Sequence, residues 1–376
     1  MASGVTAVAA GYFHSLFLKS DGSLWAMGNN LYGQLGDGTS TDRATPVQVV
    51  SNGVTAIGAA FYDSFFIKSD GSLWAMGYNV WGQLGDGTNT DAHSPEQIVS
   101  NGVTAVAVGF VHTLFLKSDG SLWGMGYGGY GDLGSAGTTD TPKQIVPSGV
   151  TAIAAGYLYS FFVRSDGSLW AMGNNNFGHL GDGTTDAAVT PELIVSNGVT
   201  AVATDGTDVS HSLFLKSDGS LWGMGYNGYG ELGDGSTNDS HIPKQIVCSG
   251  VTAMVAGYGH TLFVRTGGSL WGMGYNAGGQ LGDGTQVDSH IPEWIVGGVP
   301  SAELRITAVA RVGNDLQLSF ASDACRTYNV LSISDLASGT WTTLLTGIPG
   351  NGGTVQGTIL NAFTQPRQFY RIQQAP

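Results

Sequence analysis

Short apolar runs broken by glycine-rich polar stretches recur along the whole chain. The segment "HSLFLKSDGSLWAMG" (His14 to Gly28) holds two runs of β-forming residues joined by Asp21-Gly22, a pair that supplies the positive φ of a tight hairpin turn. Both alternating sets are apolar, Leu16 and Leu18 on one side and Phe17 on the other, so these strands should be covered on both faces. A strand-like "VTAVAA" precedes the hairpin and "PVQVV" follows it, which predicts four strands per unit.

The unit returns six times. Trp25, Trp74, Trp123, Trp170, Trp222 and Trp271 mark steps of 49, 49, 47, 52 and 49 residues, a spacing that fits propeller blades or solenoid coils. Long polar loops such as "GDGTSTDRAT" (Gly36 to Thr45) suit blade-to-blade crossings better than the short corners of a β-helix. The expected fold is therefore all-β, a β-propeller over residues 1–299. Six blades are expected to close the circle, with a seventh as the alternative if a further repeat lies outside this sequence. Beyond Trp294-Ile295-Val296 a Gly/Pro-containing break ends the repeats, and six short alternating segments predict a small β-sandwich over residues 300–376.

Composition narrows the partners. The chain carries 60 glycines and only 11% charged residues, against about a quarter in an ordinary globular protein, so turns and close backbone approaches dominate. A net charge of −14 disfavours nucleic acid and anionic membrane surfaces. No window holds the roughly 18 unbroken apolar residues of a membrane helix. Met1–Ser3 stands where "VSN" precedes later repeats, the arrangement expected if a signal peptide has been removed. The two cysteines, Cys248 and Cys325, lie far apart in sequence and are expected to be unpaired.

The ordered combination of "AAGYFHSLFL" (Ala9 to Leu18), "DGSLWAMG" (Asp21 to Gly28) and "GQLGDGT" (Gly33 to Thr39) with Thr45-Pro46 resembles the repeat of the regulator of chromosome condensation family. That resemblance implies a ring-shaped propeller, commonly of seven blades, recognising a protein through one ring face, as in its nucleotide-exchange and β-lactamase-inhibitor relatives. Neither activity carries over, because no matching functional residue can be placed. "YNVLSISDLASGTWTTLL" (Tyr328 to Leu345) with "QFYRIQ" resembles C-terminal modules of secreted bacterial proteins, which implies an extracellular or cell-surface location.

Several repeated positions invite chemistry. His14, His112, His211 and His260 share one place in the unit, with Asp63 and Tyr159 as replacements. One imidazole per blade is too far from the next for shared metal ligation, so hydrogen bonding to the adjacent strand or loop is expected. The "GDGT" aspartates match no spaced calcium loop and read as Asp-Gly turns. Lys19 and its equivalents precede the hairpin turn and read as solvated edge charges.

The variable aromatics are more informative. Tyr12, Phe13, Phe61, Tyr62, Phe110, Tyr157 and Tyr258 fall where the first strand ends, and repeat five inserts "TDGTDVS" (Thr204 to Ser210) there. Such side chains give large contact area at little entropic cost. With Asp63, Tyr159, Asp205 and Asp208 they form the candidate binding set. A second aromatic set after "MG", including Tyr32, Tyr78, Trp81, Tyr127 and Tyr130, is expected mainly to pack between blades. The chain is expected to be a secreted, monomeric, non-enzymatic propeller with no cofactor or metal that binds a protein partner. A lectin or carbohydrate-active enzyme for a neutral glycan is the rival, and a structural repeat protein without ligand the third option.

Overall fold

The structure is a computed structural model, and it describes residues 4–207, 209–297, 306–322, 327–335, 340–350, 354–364 and 368–374. The first repeat forms β1 (Val5–Ala10), β2 (His14–Lys19), β3 (Leu24–Gly28) and β4 (Arg43–Val50), an antiparallel sheet in chain order. Residues 54–99, 103–146, 150–195, 199–247 and 251–296 build five more sheets of the same order. These are the six four-stranded blades the repeat predicts.

The near-invariant hairpin has a local cause. The Asp21 carboxylate accepts the Ser23 amide at 2.9 Å and the Ser23 hydroxyl at 2.6 Å, and Ser23 Oγ accepts Trp25 Nε1 at 3.0 Å. The Lys19 ammonium then lies 5.1 Å from the Trp25 ring centroid. Lys68, Lys117, Lys216 and Arg265 repeat this stacking on their own tryptophans. These cations are thus ring-bound and not merely solvated edge charges, since an aromatic face attracts a cation more strongly than open water repays.

The same turn joins the blades. Val54 donates its amide to Gly22 O at 3.0 Å, and the bond recurs down to Val251 and Gly219 at 3.0 Å. Gly22 has φ of 77°, and a Cβ there would stand 2.7 Å from the Gly53 nitrogen, so both backbone conformation and close approach require glycine. Between the sheets, Leu16, Leu18 and Leu24 of blade one pack with Phe66 and Met76 of blade two, and later interfaces copy this arrangement.

The circle does not close on itself. Val8 of blade one is 76% exposed, and its counterparts Ile57, Val106, Ile153 and Val202 are half-buried against a preceding blade. On blade six Val255 is 54% exposed, and Leu262, Val264 and Leu270 are half-exposed where their equivalents are buried. Among the described residues no backbone bond links blade six to blade one as Val54 links to Gly22. The expected six-blade closure is therefore corrected to six blades with two uncovered end faces, because the turn from one sheet to the next leaves blades one and six unpaired.

At the C-terminal end, Ile306–Val312, Asp315–Ala321 and Thr354–Ile359 form one three-stranded sheet. Thr342–Pro349, Thr327–Ile333 and Phe369–Gln374 form another. Leu318 and Phe320 of the first pack with Tyr328 and Val330 of the second, as a small sandwich requires. Cys248 is disulfide-bonded. Cys325, the one other cysteine in the chain, lies outside the described residues. The expectation of unpaired thiols is overturned: distance in sequence sets no limit on distance in the fold.

Candidate functional site

Alternating strand direction puts the β1–β2 and β3–β4 connections of every blade at one end of the propeller, and the Asp-Gly hairpins at the other. Both aromatic sets therefore share an end. Tyr12 stacks on Phe61 with centroids 5.0 Å apart and planes 4° apart. Phe61 meets Phe110 edge-on at 4.0 Å, and Phe110 stacks on Tyr157 at 4.4 Å. This inner arc crosses blades one to four, knitted by Tyr12 N to Phe61 O at 2.9 Å and Phe110 N to Gly156 O at 3.2 Å.

Phe61 holds a φ of 40°, a left-handed backbone that a bulky residue adopts only at a cost in strain. A cavity of about 270 Å³ opens beside the arc, lined by Tyr12, Phe61 and Phe110 on one side and by Thr204, Gly206 and Thr207 on the other. The "TDGT" insertion thus sets small polar groups opposite the rings.

The inner arc continues outward. Tyr62 lies 4.9 Å from Tyr32, which lies 5.0 Å from Tyr78. Trp81, Tyr127 and Tyr130 form a neighbouring cluster, and Tyr229 bridges Tyr226 and Tyr275. Tyr12, Phe13 and Tyr258 are each more than half exposed, and Trp81 and Tyr130 are 40% exposed. The second set is thus surface and contact at once, where packing between blades was expected. The alternation of strand direction could have revealed it, because that alone brings the end of β3 beside the start of β2.

The acidic candidates go elsewhere. Asp63, Tyr159 and Asp205 are buried inside the propeller and take no place on the exposed aromatic surface; Asp208 lies outside the described residues. Each meets a partner. Gln83 lies beside the Asp63 carboxyl, Tyr159 sits 4.2 Å from the His179 ring, and Asp205 lies 3.7 Å from His211 Nδ1. Burial raises the Asp63 carboxyl well above the usual range and lifts Asp205 to about 8.

Glu231, a residue the sequence singles out beside Asp63, Tyr159, Asp205 and Asp208, belongs to a set that was not read as a ring: Gln34, Gln83, Asp132, His179, Glu231 and Gln280, the variable letter of "GxLG". The first five are buried. Asp132 lies 3.6 Å from His112 Nδ1. Burial lowers His112 to about 4 and raises Asp132 to about 7, so around neutral pH the imidazole is uncharged and the carboxyl is poised between its two forms. Burial likewise raises Glu231 to about 7. The signal was the variation itself, since this letter reads Gln, Gln, Asp, His, Glu and Gln where the residues around it repeat.

The histidines act as blade staples, as expected: His14 Nε2 meets Ser64 Oγ at 2.9 Å and His112 Nε2 meets Ser160 Oγ at 2.9 Å. The "GDGT" aspartates close turns: Asp37 accepts Thr39 N at 3.0 Å and Asn30 Nδ2 at 3.1 Å. Among the described residues no cluster of three metal-ligating side chains forms, and no helix is long and apolar enough to cross a membrane.

Fold and surface define a repeat-built β-propeller with an aromatic end. The family model described as RCC1-like domain matches residues 1–321, and the chain belongs to that family. The match runs past the sixth blade through the strand pair that follows it. Prp20p of Saccharomyces cerevisiae, reported with its binding properties to Gsp1p and histones, is 23% identical, with 78% of this chain and 77% of that one covered at a TM-score of 0.68. Human WBSCR16 is 22% identical, with 79% and 82% covered at a TM-score of 0.67. A second yeast structure, Kap60 bound to RCC1 (Prp20), gives 22% identity and a TM-score of 0.69, with 78% and 75% covered. At these identities the likeness speaks for the fold. No curated protein matches the chain.

Proposed function

We propose that this protein is a non-enzymatic binding propeller that recognises a protein partner through the aromatic end. The observation that carries the reading is the continuous, partly exposed aromatic surface running from Tyr157 to Tyr12 and outward through Tyr62, Tyr32 and Tyr78. Tyr and Phe are the side chains that anchor protein interfaces. Prp20p, similar in fold, binds Gsp1p, histones and Kap60, which supports a protein partner here.

A secreted or cell-surface role in a bacterium is part of the proposal. The disulfide at Cys248 supports it, because such bonds persist in oxidising compartments. The resemblance of the tail to modules of secreted bacterial proteins points the same way.

The test is pull-down from the source environment with the wild-type chain and with a Tyr12→Ala/Phe61→Ala/Phe110→Ala/Tyr157→Ala variant. A partner held by the wild type and lost by the variant supports the reading. A partner held equally by both overturns the face assignment, and turnover or binding on a neutral-glycan array in place of a protein overturns the class.

A further inference from the structure

The two ends of the propeller differ in charge as well as in apolar character. Residues 1–299 hold nine basic and 24 acidic side chains. Six of the nine cations (Lys19, Lys68, Lys117, Arg164, Lys216 and Arg265) end the second strands, beside the hairpin turns. Five aspartates occupy those same turns, so the hairpin end is nearly balanced.

The rest of the propeller keeps 19 acidic against three basic residues. Those three are engaged: Arg43 pairs with Asp37, Lys244 pairs with Asp234, and Lys143 donates to Ser135. Asp63, Asp132, Asp205 and Glu231 are buried and held toward their neutral forms, but the loops between the third and fourth strands bring ten further aspartates to the aromatic end, which is therefore both ring-covered and negative. Its inner arc faces a cavity of about 270 Å³, large enough for one side chain but small for a folded element.

Resting on the protein-binding reading above, we propose that the aromatic end docks a cationic, arginine-bearing segment of a partner protein. An arginine side chain enters the cavity beside Tyr12, Phe61 and Phe110, and the surrounding carboxylates supply the field. The chemistry fits a guanidinium better than an ammonium. The planar, weakly hydrated guanidinium stacks on aromatic faces, whereas lysine keeps a tightly held water shell. A neutral ligand would gain nothing from the concentration of acidic groups, and an acidic one would be repelled. The small groups opposite the rings, Thr204, Gly206 and Thr207, leave room for the side chain and offer hydroxyls and backbone to its edge.

The test is calorimetric titration of the full chain with a synthetic arginine-rich peptide, its lysine-for-arginine version, a glutamate-rich peptide of equal length and a neutral oligosaccharide. The arginine peptide is expected to bind most tightly and to weaken about tenfold or more between low and high salt, as screened attraction requires. Tyr12→Ala/Phe110→Ala should cost about tenfold or more, with an unchanged thermal midpoint to show that the fold is intact. Lys19→Ala/Lys68→Ala at the opposite end should leave affinity unweakened.

Binding that ignores the aromatic substitutions overturns the proposal, as does equal binding of the glutamate peptide or binding of the oligosaccharide alone. If the four-alanine variant loses its pulled-down partner and the arginine peptide still fails to bind, this inference falls and the protein-binding reading stands.

Discussion

His14 Nε2 sits 2.9 Å from the Ser64 hydroxyl of the next blade, and Ser64 Oγ donates to the Gln34 carbonyl at 2.7 Å, returning the link to the blade it came from. His211 and Thr261 repeat the link at 2.8 Å, with Thr261 donating to Glu231 O at 2.9 Å. Each staple thus needs a blade on both sides. At the free end, His260 turns instead to Tyr258 O at 3.2 Å.

His14→Ala removes the imidazole partner of the buried Ser64 oxygen, leaves a cavity in the seam and is expected to cost about 1–3 kcal/mol. His260→Ala, at the uncovered face, should stay within about 0.5 kcal/mol. Denaturant midpoints of the two variants check this, and equal losses would refute the staple.

The end faces predict a second asymmetry. Val8→Asp places a charge in solvent and should shift stability by about 0.5 kcal/mol or less, whereas Ile57→Asp places it against blade one and should cost roughly 2–4 kcal/mol. Thermal midpoints that fall together would mean that blade one is covered after all.

Cation–aromatic stacking gives a smaller number. Lys68 Nζ lies 4.3 Å from the Trp74 centroid, so Lys68→Gln should lose about 0.5–1 kcal/mol. The loss should persist at high salt, since the ring attraction is short-ranged, and a loss that vanishes with salt would assign the effect to Asp70 instead.

Buried carboxyls make stability depend on pH. Asp132 and Glu231 are raised to about 7 and Asp205 to about 8, all chiefly by burial. A raised carboxyl keeps its proton in the folded state after the unfolded state has lost it. Its contribution is therefore complete below about pH 4 and is lost as pH climbs through 7 to 8. His14, His112 and His179, lowered to about 4, and His211, lowered to about 3, act oppositely: their contribution is present above about pH 6.5 and is lost as pH falls through 4 to 3. Only the carboxyls titrate above pH 6.5, so the thermal midpoint should fall from pH 6.5 to 8.5. Asp132→Asn should flatten that fall, and a variant with the parental slope would show that Asp132 is not among its causes.

What the repeat made legible is everything that lies within one blade. Asp21-Gly22 dictates the hairpin, the doubly apolar strands dictate cover on both faces, and the step between tryptophans dictates one sheet per unit. These are short-range facts of turn chemistry and side-chain alternation, and six copies state them six times. The staple role of the histidines was also readable, because one imidazole per blade leaves no room for shared ligation.

Tertiary structure decided the rest. The rotation between neighbouring sheets depends on how Leu16 and Leu18 seat against Phe66, and no count of repeats reports that angle, so the uncovered faces of blades one and six had to be seen. Asp63, Tyr159 and Asp205 read as departures from the repeat on the binding surface, yet each is buried against a neighbour distant in sequence or set in another strand, Gln83, His179 or His211. The joining of Tyr62 to Tyr32 across adjacent blades belongs to the same class. A linear pattern specifies which side chains a strand carries, but which of them meet across a seam is settled only when separate sheets pack.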